Sequence, residues 1–81
     1  MKSKILVVDD EESIRFTFQS FLSKEGYEVL TTEDYVSAME VISGTAPDLI
    51  FVDIILGGYS GIDLLREVRK MGLRCPVIGN G

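Results

Sequence analysis

Ile5-Leu6-Val7-Val8-Asp9-Asp10 and Leu49-Ile50-Phe51-Val52-Asp53 are the two stretches that decide how this chain folds. Each opens with four apolar residues and shows no polar alternation. A strand that reads this way is buried on both faces, as in a parallel sheet covered by helices. Each run also stops abruptly on aspartate. Two buried strands that end on carboxylates define both the architecture and the place where its chemistry should lie.

Outward from these runs, the pattern changes period. Ile14, Phe18, Phe21 and Leu22 recur at helical spacing and form one face. Glu11 and Glu12 lie at or near the first turn of that helix, where negative charge complements the dipole, and Lys24 lies in its last turn. Gly26 is placed to end it. Phe16 falls on the opposite side, either as an ordinary exposed aromatic or as a contact for a partner chain. Tyr27–Thr31 reads as a second strand whose partial alternation suits an edge position. Asp34 can cap a helix carrying Tyr35, Ala38, Met39 and Ile42 on one face, with Gly44 closing it and Pro47 barring its continuation. After Asp53, a loop is expected from Ile54 to Tyr59, with Gly57 and Gly58 adjacent. Ser60-Gly61-Ile62-Asp63 then has the form of a capping box, with Asp where Glu or Gln is usual. The third helix groups Leu64, Leu65, Val68 and Met71 and closes at Gly72. Pro76-Val77-Ile78 begins a fourth strand, and Gly79-Asn80-Gly81 follows. The order is βαβαβαβ, which predicts an α/β fold: a parallel sheet joined by right-handed crossovers, with helices on both faces in three layers.

Composition narrows the function. Thirteen acidic residues against eight basic ones give a net charge of −5, which argues against nucleic-acid binding by this segment. The single cysteine, Cys75, precludes an internal disulfide and reads as a small buried or half-buried residue. No histidine is present, so histidine-based catalysis and metal ligation are excluded. Met1-Lys2-Ser3-Lys4 runs straight into the first strand with no stretch like a signal peptide, and no segment approaches the length of a membrane span. A cytoplasmic protein without membrane partners is the expectation.

In open parallel sheets, ligands gather at the carboxyl ends of strands near the point where strand order reverses. If the first and third strands are neighbours, Asp9, Asp10 and Asp53 share one pocket. Three carboxylates so placed repel one another at neutral pH, and a divalent cation relieves that repulsion. An all-oxygen set with an open remainder suits Mg²⁺, which keeps waters and accepts a phosphate oxygen. A carboxylate beside such an ion can act as a nucleophile toward a phosphoryl group. Aspartate is also common at strand ends as a cap or turn residue, and spacing alone leaves the two readings balanced.

The residues Ile5–Glu11, Gly26–Val29, Pro47–Asp53, Ser60–Arg66 and Cys75–Ile78, at these spacings, resemble a response-regulator receiver domain of two-component signalling. The resemblance runs from Lys4 to Ile78 and implies a flavodoxin-like fold with strand order 2-1-3-4-5. It implies that Asp53 is the phosphoacceptor. It also implies that Asp9 and Asp10 hold Mg²⁺ (Asp10 directly, Asp9 mainly through water) and that the backbone carbonyl of Ile55 supplies a further ligand. The implied partner is a sensor histidine kinase that donates from phosphohistidine, and the implied role is signalling rather than turnover catalysis.

The chain departs from the family pattern in two places. Gly57 stands where the family usually has proline. After the fourth strand the family carries a Ser or Thr, then a helix, a fifth strand ending in Lys, and a last helix. Here Gly79-Asn80-Gly81 follows instead, and Lys70, on the third helix, is no substitute for the phosphate-pairing Lys. The expectation is a partial receiver domain over residues 1–81 in which metal binding survives better than phosphotransfer, with the alternative of a phosphotransfer-impaired module that acts in assembly. A bare edge on the fourth strand and an uncovered face beside the first helix predict a homodimer or swapped assembly. A phosphohydrolase with an aspartate nucleophile fits less well, because that chemistry usually wants Asp-x-Asp after the first strand. A dinucleotide site fits poorly too, since Gly57, Gly58 and Gly61 do not space as G-x-G-x-x-G and follow the third strand.

Overall fold

The computed structural model describes the backbone of residues 2–53, 55–56, 59–72 and 77–80, and the side chains of residues 2–52 and 63–72. Its elements are β1 (Lys4–Val8), α1 (Glu12–Lys24), β2 (Glu28–Thr32), α2 (Tyr35–Thr45), β3 (Leu49–Asp53), β4 (Ile55–Leu56), β5 (Tyr59–Ser60), α3 (Gly61–Lys70) and β6 (Val77–Asn80). Four strands form a parallel sheet in the order β2-β1-β3-β6. The two apolar runs, β1 and β3, are therefore the central pair, and the more polar β2 lies at an edge, as its partial alternation predicts.

The pleat divides the inner strands between two faces. Leu6 and Val8 of β1 and Ile50 and Val52 of β3 join Ala38 and Ile42 of α2 and Leu64 and Val68 of α3 in the main core. Leu6, Ile50, Leu64 and Val68 are fully excluded from solvent. Burial of an aliphatic side chain of this size contributes about 1.5–3 kcal/mol. The other face carries α1, whose Phe18 ring meets Phe51 of β3 at 5.2 Å between centroids in a tilted arrangement. No residue of α1 is fully buried. Ile14, Phe18 and Leu22 are half-buried, while Phe16 and Phe21 are exposed. Phe16 was expected on the outer side; Phe21 was not. At 3.6 residues per turn the stripe centres on Phe18, and Phe21 falls roughly 60° to one side of it, at the margin of the covered face.

Helix ends follow local chemistry. Gly26 at φ 95° and Gly72 at φ 81° take up the left-handed conformation that ends α1 and α3. Asp34 caps α2, its Oδ1 accepting from the Ser37 backbone N–H at 2.7 Å. Gly44 does not close that helix. The helix runs on to Thr45, and Ala46 takes the left-handed position at φ 50°, with its N–H donating to the Ile42 carbonyl at 3.1 Å. The reason lies one residue further on: buried Pro47 has no N–H to offer a helix and disfavours the right-handed helical region for the residue before it.

Four further points differ from the sequence reading. β2 is Glu28–Thr32 rather than Tyr27–Thr31. The segment expected to be an irregular loop contains a two-stranded antiparallel ladder, with Ile55 opposite Ser60 and Leu56 opposite Tyr59. β6 continues to Asn80, where the backbone pairs in register with Asp53 although Gly and Asn are poor strand formers. Met71, grouped with the buried face of α3 by periodicity, lies just beyond the last helical residue and is exposed. Ile54, Gly57, Gly58, Cys75, Pro76 and Gly81 lie outside the described residues.

Candidate functional site at the carboxyl end of the sheet

β1 and β3 pair in parallel with Val8 opposite Val52, so the aspartates that follow, Asp9 and Asp53, leave the sheet side by side at its carboxyl end. Parallel neighbours lie about 4.8 Å apart. Order reverses between these strands, since β1 leads outward to β2 while β3 leads to β6. This is the topological switch point at which open α/β sheets place ligands.

Asp9 is buried, only 6 % exposed, and Asp10 beside it is exposed. Asp9 is held at three points. Its N–H donates to the Thr32 carbonyl at 3.1 Å, which ties the loop after β1 to the end of β2. Its Oδ1 accepts the Glu11 backbone N–H at 2.9 Å. Its main-chain carbonyl accepts from Arg15 Nη1 at 2.6 Å. Among the described residues its Oδ2 carries no hydrogen bond, and no cation pairs with its carboxylate.

The remaining sequence candidates are located by their backbones. Asp53 is the last residue of β3, and Ile55 is the first of β4. Their side chains lie outside the described residues. The expected convergence of Asp9, Asp10 and Asp53 therefore rests on strand register, and among the described residues no three of His, Cys, Asp and Glu gather as a metal cluster. Lys70 ends α3 and pairs with Glu67 at 3.4 Å on its own helix, as its sequence position implies. No helix of the described residues is long and apolar enough to cross a membrane.

Two features of the site escaped the sequence reading. Arg15 reaches back from α1 to Asp9, and the Thr32 hydroxyl is buried without a hydrogen-bond partner among the described residues. Arg15 had a signal: it is a cation near the N-terminus of a helix, where the dipole opposes it, so its position needs another cause. Thr32 has none, because the sequence pattern ends the strand at Thr31 and the structure continues it to Thr32.

The candidate donors are all oxygen, the Asp9 carboxylate is buried without a counter-charge among the described residues, and the site lies where open α/β sheets collect ligands. These properties fit a hard divalent cation.

Comparison with known proteins agrees with this architecture. The model of the response regulator receiver domain family matches residues 5–79. The chain is 40 % identical over 78 residues to the alkaline phosphatase synthesis transcriptional regulatory protein PhoP of Bacillus subtilis, covering 96 % of this chain and 32 % of that one. The solved structure of the chemotaxis response regulator CheY4 of Vibrio cholerae superposes with a TM-score of 0.93 at 28 % identity, over 98 % of this chain and 68 % of that one. NtrX of Brucella abortus superposes with a TM-score of 0.88 at 43 % identity, over 98 % of this chain and 18 % of that one. The chain thus spans about a third of the curated regulator and about two thirds of a single chemotaxis regulator. The fold is flavodoxin-like, and receiver domains of response regulators are signalling modules. The chain belongs to the response regulator receiver domain family.

Proposed function

We propose that this receiver domain accepts a phosphoryl group on Asp53 from the phosphohistidine of a sensor histidine kinase, with Mg²⁺ held by Asp9, Asp10, Asp53 and the backbone carbonyl of Ile55. One observation carries the reading: β1 and β3 are register-matched neighbours at the switch point, and each is followed or ended by aspartate, with the Asp9 carboxylate buried and lacking a counter-charge among the described residues.

In this reading a carboxylate oxygen of Asp53 attacks phosphorus. The new O–P bond forms as the P–N bond to the kinase histidine breaks, and the leaving imidazole nitrogen takes a proton. Mg²⁺ supplies neutralisation of charge on the transferring group. The chain's own contribution is placement. The parallel ladder to β6, with Asp53 opposite Asn80, fixes the Asp53 backbone, and the three hydrogen bonds at Asp9 fix the start of the acidic loop. No turnover follows from this chemistry; the product is the modified domain itself.

The direct test is incubation with acetyl phosphate and Mg²⁺, read by intact mass. A gain of one phosphoryl group in the wild type that Asp53→Asn abolishes supports the reading, and an unchanged wild-type mass refutes it.

A second reading, an assembly module, draws on a different surface. Phe16 is 69 % exposed and Phe21 is 62 % exposed on α1. Beside α1, a shallow trough of about 470 Å³ is lined by Ile5, Leu22, Tyr27, Leu49 and Phe51 together with Ser3 and Asp48. The outer edge of β6 has no partner strand among the described residues. On this reading two copies associate through that face or that edge. Light scattering that shows a folded monomer at micromolar concentration refutes it.

A further inference from the structure

Arg15 spends its guanidinium on a main-chain carbonyl. Its Nη1 lies 2.6 Å from the oxygen of Asp9, and among the described residues it forms no ion pair, although Glu12 and Glu33 line the pockets it borders. The side chain is half-buried on the N-terminal part of α1. Ordering a long cationic side chain costs conformational entropy, and the helix dipole opposes a cation there. An arrangement that meets both costs has a local effect worth identifying.

We infer that Arg15 is a positioning residue for the acidic loop, holding the Asp9–Asp10 peptide plane so that the two carboxylates are presented together to a divalent cation. This inference rests on the metal-dependent reading of the site given above. A peptide unit is rigid, so a hydrogen bond to the Asp9 carbonyl also sets the direction of the Asp10 N–H and Cα. Asp9 is already tied to Thr32 through its N–H and to Glu11 through its carboxylate. Asp10 is exposed and has no hydrogen bond of its own among the described residues, so the Arg15 bond is the contact that reaches it. Groups that orient metal ligands from behind typically change metal affinity by 10–100-fold when removed. The positive charge of Arg15 works the other way, since it repels a cation. The sign of the mutational effect therefore separates positioning from charge.

The test uses the whole chain and Mg²⁺ alone. Calorimetric Mg²⁺ titration of wild type, Arg15→Met and Arg15→Lys is combined with amide hydrogen exchange without metal. Arg15→Met is expected to bind Mg²⁺ about tenfold more weakly. Arg15→Lys should recover part of the loss, because an ammonium can still donate to one carbonyl. In Arg15→Met the amides of Asp10 and Glu11 should exchange faster while those of α2 keep their protection. Unchanged or tighter Mg²⁺ binding in Arg15→Met overturns the inference, as does unchanged exchange at Asp10 and Glu11. Should Arg15→Met fail to fold, Arg15→Gln, polar but neutral and too short to reach the carbonyl, takes its place, and unchanged or tighter Mg²⁺ binding in that variant overturns the inference. A wild type that binds no Mg²⁺ sinks the metal reading and this inference together, which distinguishes that failure from a failure of Arg15 alone.

Discussion

Replacing Asp9 with Asn tests whether the acidic end of the sheet is built for a cation or for stability. The amide is nearly isosteric, and its oxygen can still accept the Glu11 N–H that Oδ1 accepts at 2.9 Å. What disappears is a charge on a residue only 6 % exposed. Register puts Asp9 beside Asp53, one residue past the Val8–Val52 pair. Backbones so paired lie about 4.8 Å apart, and two unit charges carried by such neighbours act over a distance on the order of 6 Å. Coulomb repulsion at that distance is roughly 0.7 kcal/mol in water and roughly 2.8 kcal/mol at an effective dielectric constant of about 20. Without metal, Asp9→Asn should therefore be more stable than wild type by about 1–3 kcal/mol. For a domain of this size that raises the melting temperature by about 4–8 °C per kcal/mol. Saturating Mg²⁺ should close or reverse the gap. A ligand at a hundredfold its Kd stabilises the wild type by about 2.7 kcal/mol, and the variant gains far less. Thermal unfolding followed by circular dichroism, in EDTA and in Mg²⁺, reads both effects. The reasoning is refuted if Asp9→Asn melts lower than wild type in EDTA, or if both proteins show the same Mg²⁺ shift.

Three further outcomes follow from the packing and the helix ends. Leu64→Ala removes a side chain fully excluded from solvent between α3 and the sheet, and urea unfolding should show a loss of about 2–4 kcal/mol. Ala46→Gly relieves a left-handed alanine at φ 50°, and after the entropy of glycine is subtracted the same assay should show a gain of about 0.5–1 kcal/mol. The Asp34 carboxylate is held below its ordinary value of 3.8 by hydrogen bonding to Ser37. A depressed carboxylate stabilises the fold above its unfolded value and loses that contribution as pH falls through the folded one. Asp34→Ala should lower the melting temperature at neutral pH, and the difference from wild type should shrink on the acid side of 3.8.

Much of the fold was legible because its central strands carry no polar alternation. The unbroken apolar runs Ile5–Val8 and Leu49–Val52 predict burial on both faces and so the middle of the sheet, which they occupy, although Leu49 and Phe51 on the α1 side of β3 are only half-buried. Asp34, Gly26 and Gly72 announced helix ends through side-chain chemistry or backbone freedom. The errors arose where tertiary context overrode local pattern. Gly44 has a helix-ending residue type, but Pro47 sets the end of α2. Phe21 has the right period, but its angular offset carries it off the covered stripe. The β4–β5 ladder had a usable signal, since two adjacent glycines between Leu56 and Tyr59 suit a two-residue hairpin connection. At the site, the aspartates were visible because each stands at the end of an apolar run. The hydrogen bonds that hold Asp9 were not, because two of their three partners are backbone groups and the third reaches back from α1.

The central claim is that Asp53 receives the phosphoryl group, and locating the modified residue tests it most directly. After reaction with acetyl phosphate and Mg²⁺, borohydride reduction converts an aspartyl phosphate to homoserine, which peptide mapping then assigns. The account predicts homoserine at position 53 and at no other aspartate. Homoserine at position 9 or 10, or none anywhere in the chain, contradicts it.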